Sequence, residues 1–308
     1  MSIPTQALAK TVAELTAPGK GILAADESTG TIEKRLKAVN VASTEETRRD
    51  YRALLFSTQG LDEFISGVIL FEETLIQKTA AGVSLPQLLA TQSIVPGIKV
   101  DKGTLPLSGF PEEKITQGLD GLAQRLETYK QQGARFAKWR AVINIGAGFP
   151  TPQAIAANAH ALARYAAICQ EQGVVPIVEP EVLMDGDHSL ATCARVTEEV
   201  LHAVFHALHQ QRIALEYMLL KPNMIVPGSA HADQVTPQQV AQATLTCMRR
   251  TVPAAVPGIN FLSGGQSETT ATANLHALNA TGEKQPWVLS FSYGRALQAS
   301  VLQAWRGE

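Results

Sequence analysis

Eight short apolar runs punctuate the chain: "GILAAD" (21–26), "ISGVILF" (65–71), "IVPGIKV" (94–100), "RFAKWRAVINI" (135–145), "VVPIVEPE" (174–181), "LEYMLLKP" (215–222), "GINFLSG" (258–264) and "WVLSFSYG" (287–294). Helical patterning fills most of the intervals. "TPQAIAANAHALARYAAICQEQG" and "TPQQVAQATLTCMRRTV" each open on Thr-Pro, a hydroxyl cap followed by proline at the first helical position, and Gly173 closes the first. Strands that alternate with helices are joined by right-handed crossovers into a parallel sheet. Eight such units predict a closed (β/α)8 barrel, with residues 1–308 forming one domain. An open doubly wound sheet is the alternative, but it asks for a glycine fingerprint after the first strand, and "DESTGT" is not GxGxxG. One connection departs from the pattern. After the third run, "DKGTLPLSGFPEEKITQGLDGL" is rich in Gly and Pro and reads as a long loop before its helix.

Composition narrows what such a barrel could serve. A hydrophobic fraction of 45% and a charged fraction of 18% suit a globular chain with a large core. The net charge of -2 supplies no global basic field for nucleic acid or anionic lipid, so any anion site must be local. No apolar run is long enough to span a bilayer, and "MSIPTQALAKTVAEL" lacks the basic start and continuous apolar core of a signal peptide. The three cysteines, Cys169, Cys193 and Cys247, are far apart and form no CxxC pair, which argues against a disulfide framework or zinc ribbon. The expected compartment is the reducing cytoplasm.

The chemistry lies at the C-terminal ends of the runs: Asp26, Glu72, Lys99, Lys138 with Arg140, Glu179 with Glu181, Lys221, Ser263 and Ser292. In a barrel these ends converge on one mouth, where such enzymes keep their active sites; taken singly, each could merely mark where a strand surfaces. Residues two apart on a strand face the same side, so Lys138/Arg140 and Glu179/Glu181 each direct two charges one way. An uncharged lysine amine is a nucleophile toward a carbonyl carbon, which makes Lys221 a candidate Schiff-base lysine, with Lys138 its rival. A structural lysine paired with a carboxylate is the other reading of Lys221. Glu179, Glu181 and Asp26 offer acid–base partners. Two turns, Ser263-Gly264-Gly265 and Ser292 with Gly294-Arg295, each precede a helix at the position where this barrel often binds phosphate. Two other motifs read as surface features. His202, His206 and His209 share a helix face but lack the glutamate of H-E-x-x-H, and "MDGDHS" (184–189) lacks the spaced ligands of a calcium loop.

The stretches "GILAADESTGTIEKRL", "GVILFEETL", "GIKVDKG", "FAKWR", "VPIVEPE", "LLKPNM", "FLSGGQSE" and "FSYGRALQAS" occur in this order over nearly the whole chain. Together they resemble the class I, Schiff-base fructose-1,6-bisphosphate aldolases. The resemblance implies a cytoplasmic, metal-free lyase without a cofactor. It would cleave fructose 1,6-bisphosphate reversibly in glycolysis and gluconeogenesis, and assemble as a homo-oligomer, a tetramer. By the same resemblance Lys221 would form the Schiff base and Glu179, with Glu181 beside it, would handle the protons of imine formation. Asp26 would take the C4-hydroxyl proton, and Lys138 would support charged intermediates. Lys99 and Arg140 would line the site, while Ser28, Thr31, Arg35 and Arg48 would lie near the far phosphate or the substrate chain. Ser263, Gly264, Gly265, Ser292, Gly294 and Arg295 would hold the C1 phosphate. Animal members of the family carry a C-terminal tail ending in a tyrosine that helps proton exchange on the enamine. This sequence ends at "LQAWRGE", so the resemblance implies either a bacterial-type member or a tail beyond these residues, and leaves the enamine's proton donor open.

Overall fold

The computed structural model describes residues 3–232 and 234–308. Its strands are β1 (Gly21–Ala25), β2 (Ile65–Leu70), β3 (Val95–Lys99), β4 (Thr104–Leu107), β5 (Phe110–Thr116), β6 (Phe136–Ile143), β7 (Val175–Val182), β8 (Leu219–Leu220), β9 (Gly258–Phe261) and β10 (Val288–Tyr293). Eight of them close into a barrel in the order β1-β2-β3-β6-β7-β8-β9-β10, with β1 paired in parallel to both β2 and β10. Each of the eight apolar runs supplies one barrel strand, so the fold is a (β/α)8 barrel.

The first halves of most runs are continuously apolar because both faces of those barrel strands are covered; polar residues alternate in β6, β7 and β10. One face meets the surrounding helices. The other fills the barrel axis, where Ile22, Ile69, Phe136 and Ile177 form one cluster with Leu8, Val12 and Leu15 of the N-terminal helix Thr5–Leu15. That helix plugs the N-terminal end of the barrel, and Ser66 at the start of β2 donates to the Leu15 carbonyl. Full burial of a ring such as Phe136 contributes about 1.5–3 kcal/mol. Gly97 makes room for it: a Cβ there would lie 2.3 Å from the Phe136 ring.

The helix caps follow the sequence. Thr151 accepts the Ala154 N–H at the start of Pro152–Glu171, and Thr236 forms a capping box with Gln239 at the start of Pro237–Thr251. Gly173 ends the first of these helices at φ +72°.

The long loop expected after the third run is instead a hairpin. β4 and β5 pair antiparallel around a Ser-Gly turn, with Gly109 at φ +84°. Pro106 is tolerated because β4 is an edge strand. The hairpin is tied to the barrel by polar side chains: Thr116 donates to the Arg140 carbonyl, Asn158 donates to the Lys114 carbonyl, and Glu113 caps Thr151. The sixth run yields only a two-residue strand, β8, after a 3-10 turn at Leu215–Tyr217.

Candidate active site

A cleft of about 740 Å³ opens at the C-terminal ends of the barrel strands. Asp26, Ser28, Thr31, Arg35, Lys99, Lys138, Arg140, Glu179, Glu181, Lys221, Ser263, Gly264, Gly265, Ser292, Gly294 and Arg295 all line it. A groove of about 600 Å³ elsewhere, lined by Ser84, Gln132 and the Glu14–Arg135 pair, gathers no comparable set of charges.

Two of the residues singled out in the sequence stay outside the cleft. Arg48 lies on the helix Glu45–Phe56, where Glu73 accepts two hydrogen bonds from its guanidinium, and that local pairing holds it away from the mouth. Glu72 begins the short helix Glu72–Ile76 just past β2. Its carboxylate turns aside to Lys102 and the Tyr129 hydroxyl, each at 2.7 Å. His202, His206 and His209 are exposed on the helix Leu190–Gln210, and "MDGDHS" is the turn between β7 and that helix.

Within the cleft the i,i+2 pairs of β6 and β7 produce an interlocked charge network. Lys138 Nζ lies 2.9 Å from Asp26, 3.3 Å from Glu179 and 3.7 Å from Asp101. The other oxygen of Glu179 lies 3.1 Å from Lys221 Nζ. Arg140 donates to Glu181, and Lys99 lies 3.2 Å from Asp101. Lys138, Lys221, Glu179, Glu181 and Asp101 are all buried. Burial would raise the Asp26 carboxyl, but the charges of Lys138 and Lys221 and the hydrogen bond from Lys138 prevail and lower it to about 2. Burial would lower the Lys138 amine, but Asp26, Glu179 and Asp101 together hold it above the ordinary lysine value. At neutral pH Asp26 is therefore a carboxylate and Lys138 an ammonium.

The "LKPN" segment is anchored around Lys221. Its N–H donates to the Val178 carbonyl at 2.8 Å, and the next carbonyl, of Pro222, accepts from Leu262 at 3.0 Å. The buried Asn223 amide accepts from Val182 N–H and donates to Thr197. The lysine thus leaves a backbone clamped to strands or loops on both sides.

On another wall of the cleft, Gly264 and Gly265 adopt φ +55° and +94°, conformations that favour glycine. Arg295 opens the helix Arg295–Trp305, and its guanidinium lies 3.7 Å from where a Cβ on Gly265 would sit. The Ser292 hydroxyl is buried with no partner among the described residues. Hydroxyls, a glycine turn and a guanidinium facing one space suit a phosphate.

Sequence reading missed several groups of the mouth, among them Lys34 on the rim, Asp101 and Glu27. Asp101 stands two residues beyond Lys99, the same spacing that marked the pairs on β6 and β7, but it follows the strand rather than ending it. Glu27, next to Asp26, is buried; it accepts from Arg35 and Gln298 and so fixes the guanidinium on the rim.

Fold and cleft together define a (β/α)8 barrel whose mouth gathers buried amines and carboxylates beside a wall suited to an anion. Comparison with known proteins identifies the particular family. The family model described as fructose-bisphosphate aldolase class-I matches residues 7–308. A probable class 1 fructose-bisphosphate aldolase of Xanthomonas campestris is 55% identical over 97% of this chain and 89% of its own length. The non-muscle type aldolase of Lethenteron camtschaticum is 58% identical over 97% of this chain and 83% of its own. The solved structure of fructose-bisphosphate aldolase from Plasmodium falciparum, in complex with TRAP and a small molecule inhibitor, superposes with a TM-score of 0.98 at 54% identity, covering 100% of this chain and 90% of that one. The chain belongs to the class I fructose-bisphosphate aldolase family. It is a metal-independent lyase that cleaves fructose 1,6-bisphosphate reversibly to dihydroxyacetone phosphate and glyceraldehyde 3-phosphate, a glycolytic reaction.

Proposed function

We propose that Lys221 is the Schiff-base nucleophile of this reaction. The observation that carries the assignment is the unequal company of the two buried lysines: Lys138 faces three carboxylates, whereas Lys221 has one ion-pair partner, Glu179, among the described residues. Lys138 is held charged and unreactive, while Glu179 can take a proton from Lys221 and return it.

Lys221 attacks the C2 ketone, Glu179 passes the protons that expel water, and the resulting iminium draws electrons from the C3–C4 bond. Asp26 takes the C4-hydroxyl proton as that bond breaks. Glyceraldehyde 3-phosphate departs; the enamine is protonated at C3 and the imine is hydrolysed. Glu181 holds Arg140 at the mouth, and Lys99 and Arg140 face the substrate chain. Ser263, Gly264, Gly265, Ser292, Gly294 and Arg295 form the C1-phosphate grip. Ser28, Thr31 and Arg35 hold the far phosphate, joined by Lys34 on the same rim. Arg48, spent on Glu73, is left out of this set.

The chain is also read as one domain that assembles into a tetramer, as its family does. A cytoplasmic setting is supported by the plant relatives named cytosolic or cytoplasmic. The nucleophile assignment is tested with Lys221→Met and Lys138→Met. Borohydride with dihydroxyacetone phosphate should leave a reduced adduct in the Lys138 variant and none in the Lys221 variant; the reverse pattern would exchange the two lysines.

A further inference from the structure

Asp101 has no role in the mechanism above, yet it occupies the centre of the charge network. Its carboxylate is buried and divided in function. Oδ1 lies 3.2 Å from Lys99 Nζ and accepts the Gly103 N–H at 3.3 Å. Oδ2 faces Lys138 Nζ at 3.7 Å and has no hydrogen-bond partner among the described residues. Its backbone is unusually well fixed for a residue just beyond a strand. The Lys102 N–H donates to Gln117 at 2.8 Å, the Gln117 N–H returns to Gly103 at 3.0 Å, and Arg125 donates to the Val100 carbonyl at 2.9 Å. Gln117, at the end of the β4–β5 hairpin, thus holds the chain after Asp101, and Arg125 of the helix Leu122–Gln131 holds it before.

Lys138 is faced by Asp26 from the end of β1, Glu179 from β7 and Asp101 from the segment after β3. The cations near it are Lys99 and Lys221, while Arg140 on its own strand is matched by Glu181. Under the roles proposed above, two of the three carboxylates change charge during turnover. Asp26 becomes neutral when it takes the C4-hydroxyl proton, and Glu179 becomes neutral when it takes a proton from the amine. Each event strips Lys138 of a counter-charge in a buried site, where an uncompensated ammonium is costly. Asp101 accepts no proton in that cycle.

We infer that Asp101 is a positioning residue, a fixed counter-charge that keeps Lys138 an ammonium while Asp26 and Glu179 alternate in charge. The inference rests on the proposed roles of Asp26 and Glu179. Asp101 is among the charges that hold the Lys138 amine above its ordinary range, in line with that role.

The test compares Asp101→Asn and Asp101→Glu with wild type by the pH dependence of kcat, with folding checked by circular dichroism. In Asp101→Asn, kcat should fall roughly ten-fold or more, KM should change less, and the alkaline limb should move down by about one pH unit or more, as expected when one opposite charge is removed from a buried amine. Asp101→Glu keeps the charge but disturbs the Gly103 turn; its alkaline limb should return to the wild-type position. A wild-type limb in Asp101→Asn, or a limb in Asp101→Glu that matches Asp101→Asn, would overturn the inference. If Asp101→Asn does not fold, Asp101→Glu decides: an unshifted limb supports the inference and a lowered one refutes it. Borohydride trapping on Lys221 should persist in whichever variant folds, so a misassigned nucleophile shows separately as a missing adduct.

Discussion

The carboxylate of Glu179 joins Lys221 to Lys138: one oxygen lies 3.1 Å from the first amine, the other 3.3 Å from the second. One side chain thus sits between the proposed nucleophile and the ammonium beside it. A proton leaving Lys221 has an acceptor in contact, and that acceptor is held in place from behind by Lys138. Glu179→Gln keeps the shape and removes the base. It should lower kcat by about 10²–10⁴-fold, the usual contribution of general acid–base catalysis. Stopped-flow formation of the imine should slow in parallel; normal imine formation with a slow later step would move Glu179 out of this role.

Arg295 reaches toward the glycine turn at Gly265, its guanidinium 3.7 Å from where a Cβ on Gly265 would sit. Arg295→Ala removes charge-assisted hydrogen bonds worth about 1.5–3 kcal/mol, or roughly ten- to hundred-fold in kcat/KM. Both kcat and KM should suffer, because the C1 phosphate positions the ketone for attack. Steady-state kinetics indistinguishable from wild type would put that phosphate elsewhere.

Arg48 makes the opposite case. Its guanidinium is committed to Glu73, which Arg52 also contacts at 3.3 Å. Arg48→Ala should destabilise the fold by on the order of 1–2 kcal/mol. KM for the bisphosphate should stay close to wild type. Thermal denaturation and kinetics on the same preparation separate the outcomes, and a large rise in KM with no loss in Tm would return Arg48 to the substrate.

Asp26 gives an acid-side signature. Its carboxyl is lowered from 3.8 to about 2, so its contribution is fully present above the unfolded value and is lost as pH falls through the folded one. That contribution is on the order of 2 kcal/mol. Wild type should exceed Asp26→Asn in unfolding free energy at pH 5, and the difference should shrink as the pH approaches 2. Denaturant titrations across that range would show a constant difference if the ion pairing with Lys138 contributed nothing.

The barrel was legible because most of its strands are covered on both faces and read as apolar runs ended by a charged residue or a serine. The β4–β5 hairpin was not, since β4 is exposed and carries Pro106, and its anchorage comes from side chains such as Thr116, Asn158 and Glu113 that are distant in sequence. The residues that face the cleft from the barrel strands were readable from the period of two. Asp101 fell just outside that rule because its orientation is set by the Gly103 turn and the hairpin. Glu72 obeyed the strand-end rule in sequence but turned away, since Lys102 and Tyr129 offered it partners outside the mouth.

The most direct measurement is peptide mapping of the wild-type enzyme after borohydride reduction in the presence of dihydroxyacetone phosphate. Among the described residues Lys138 is pinned between three carboxylates and Lys221 leans on one, so the added mass should be found on the peptide containing Lys221 and on no other lysine. An adduct on Lys138 or Lys99, or no adduct under conditions where substrate is turned over, would contradict the account.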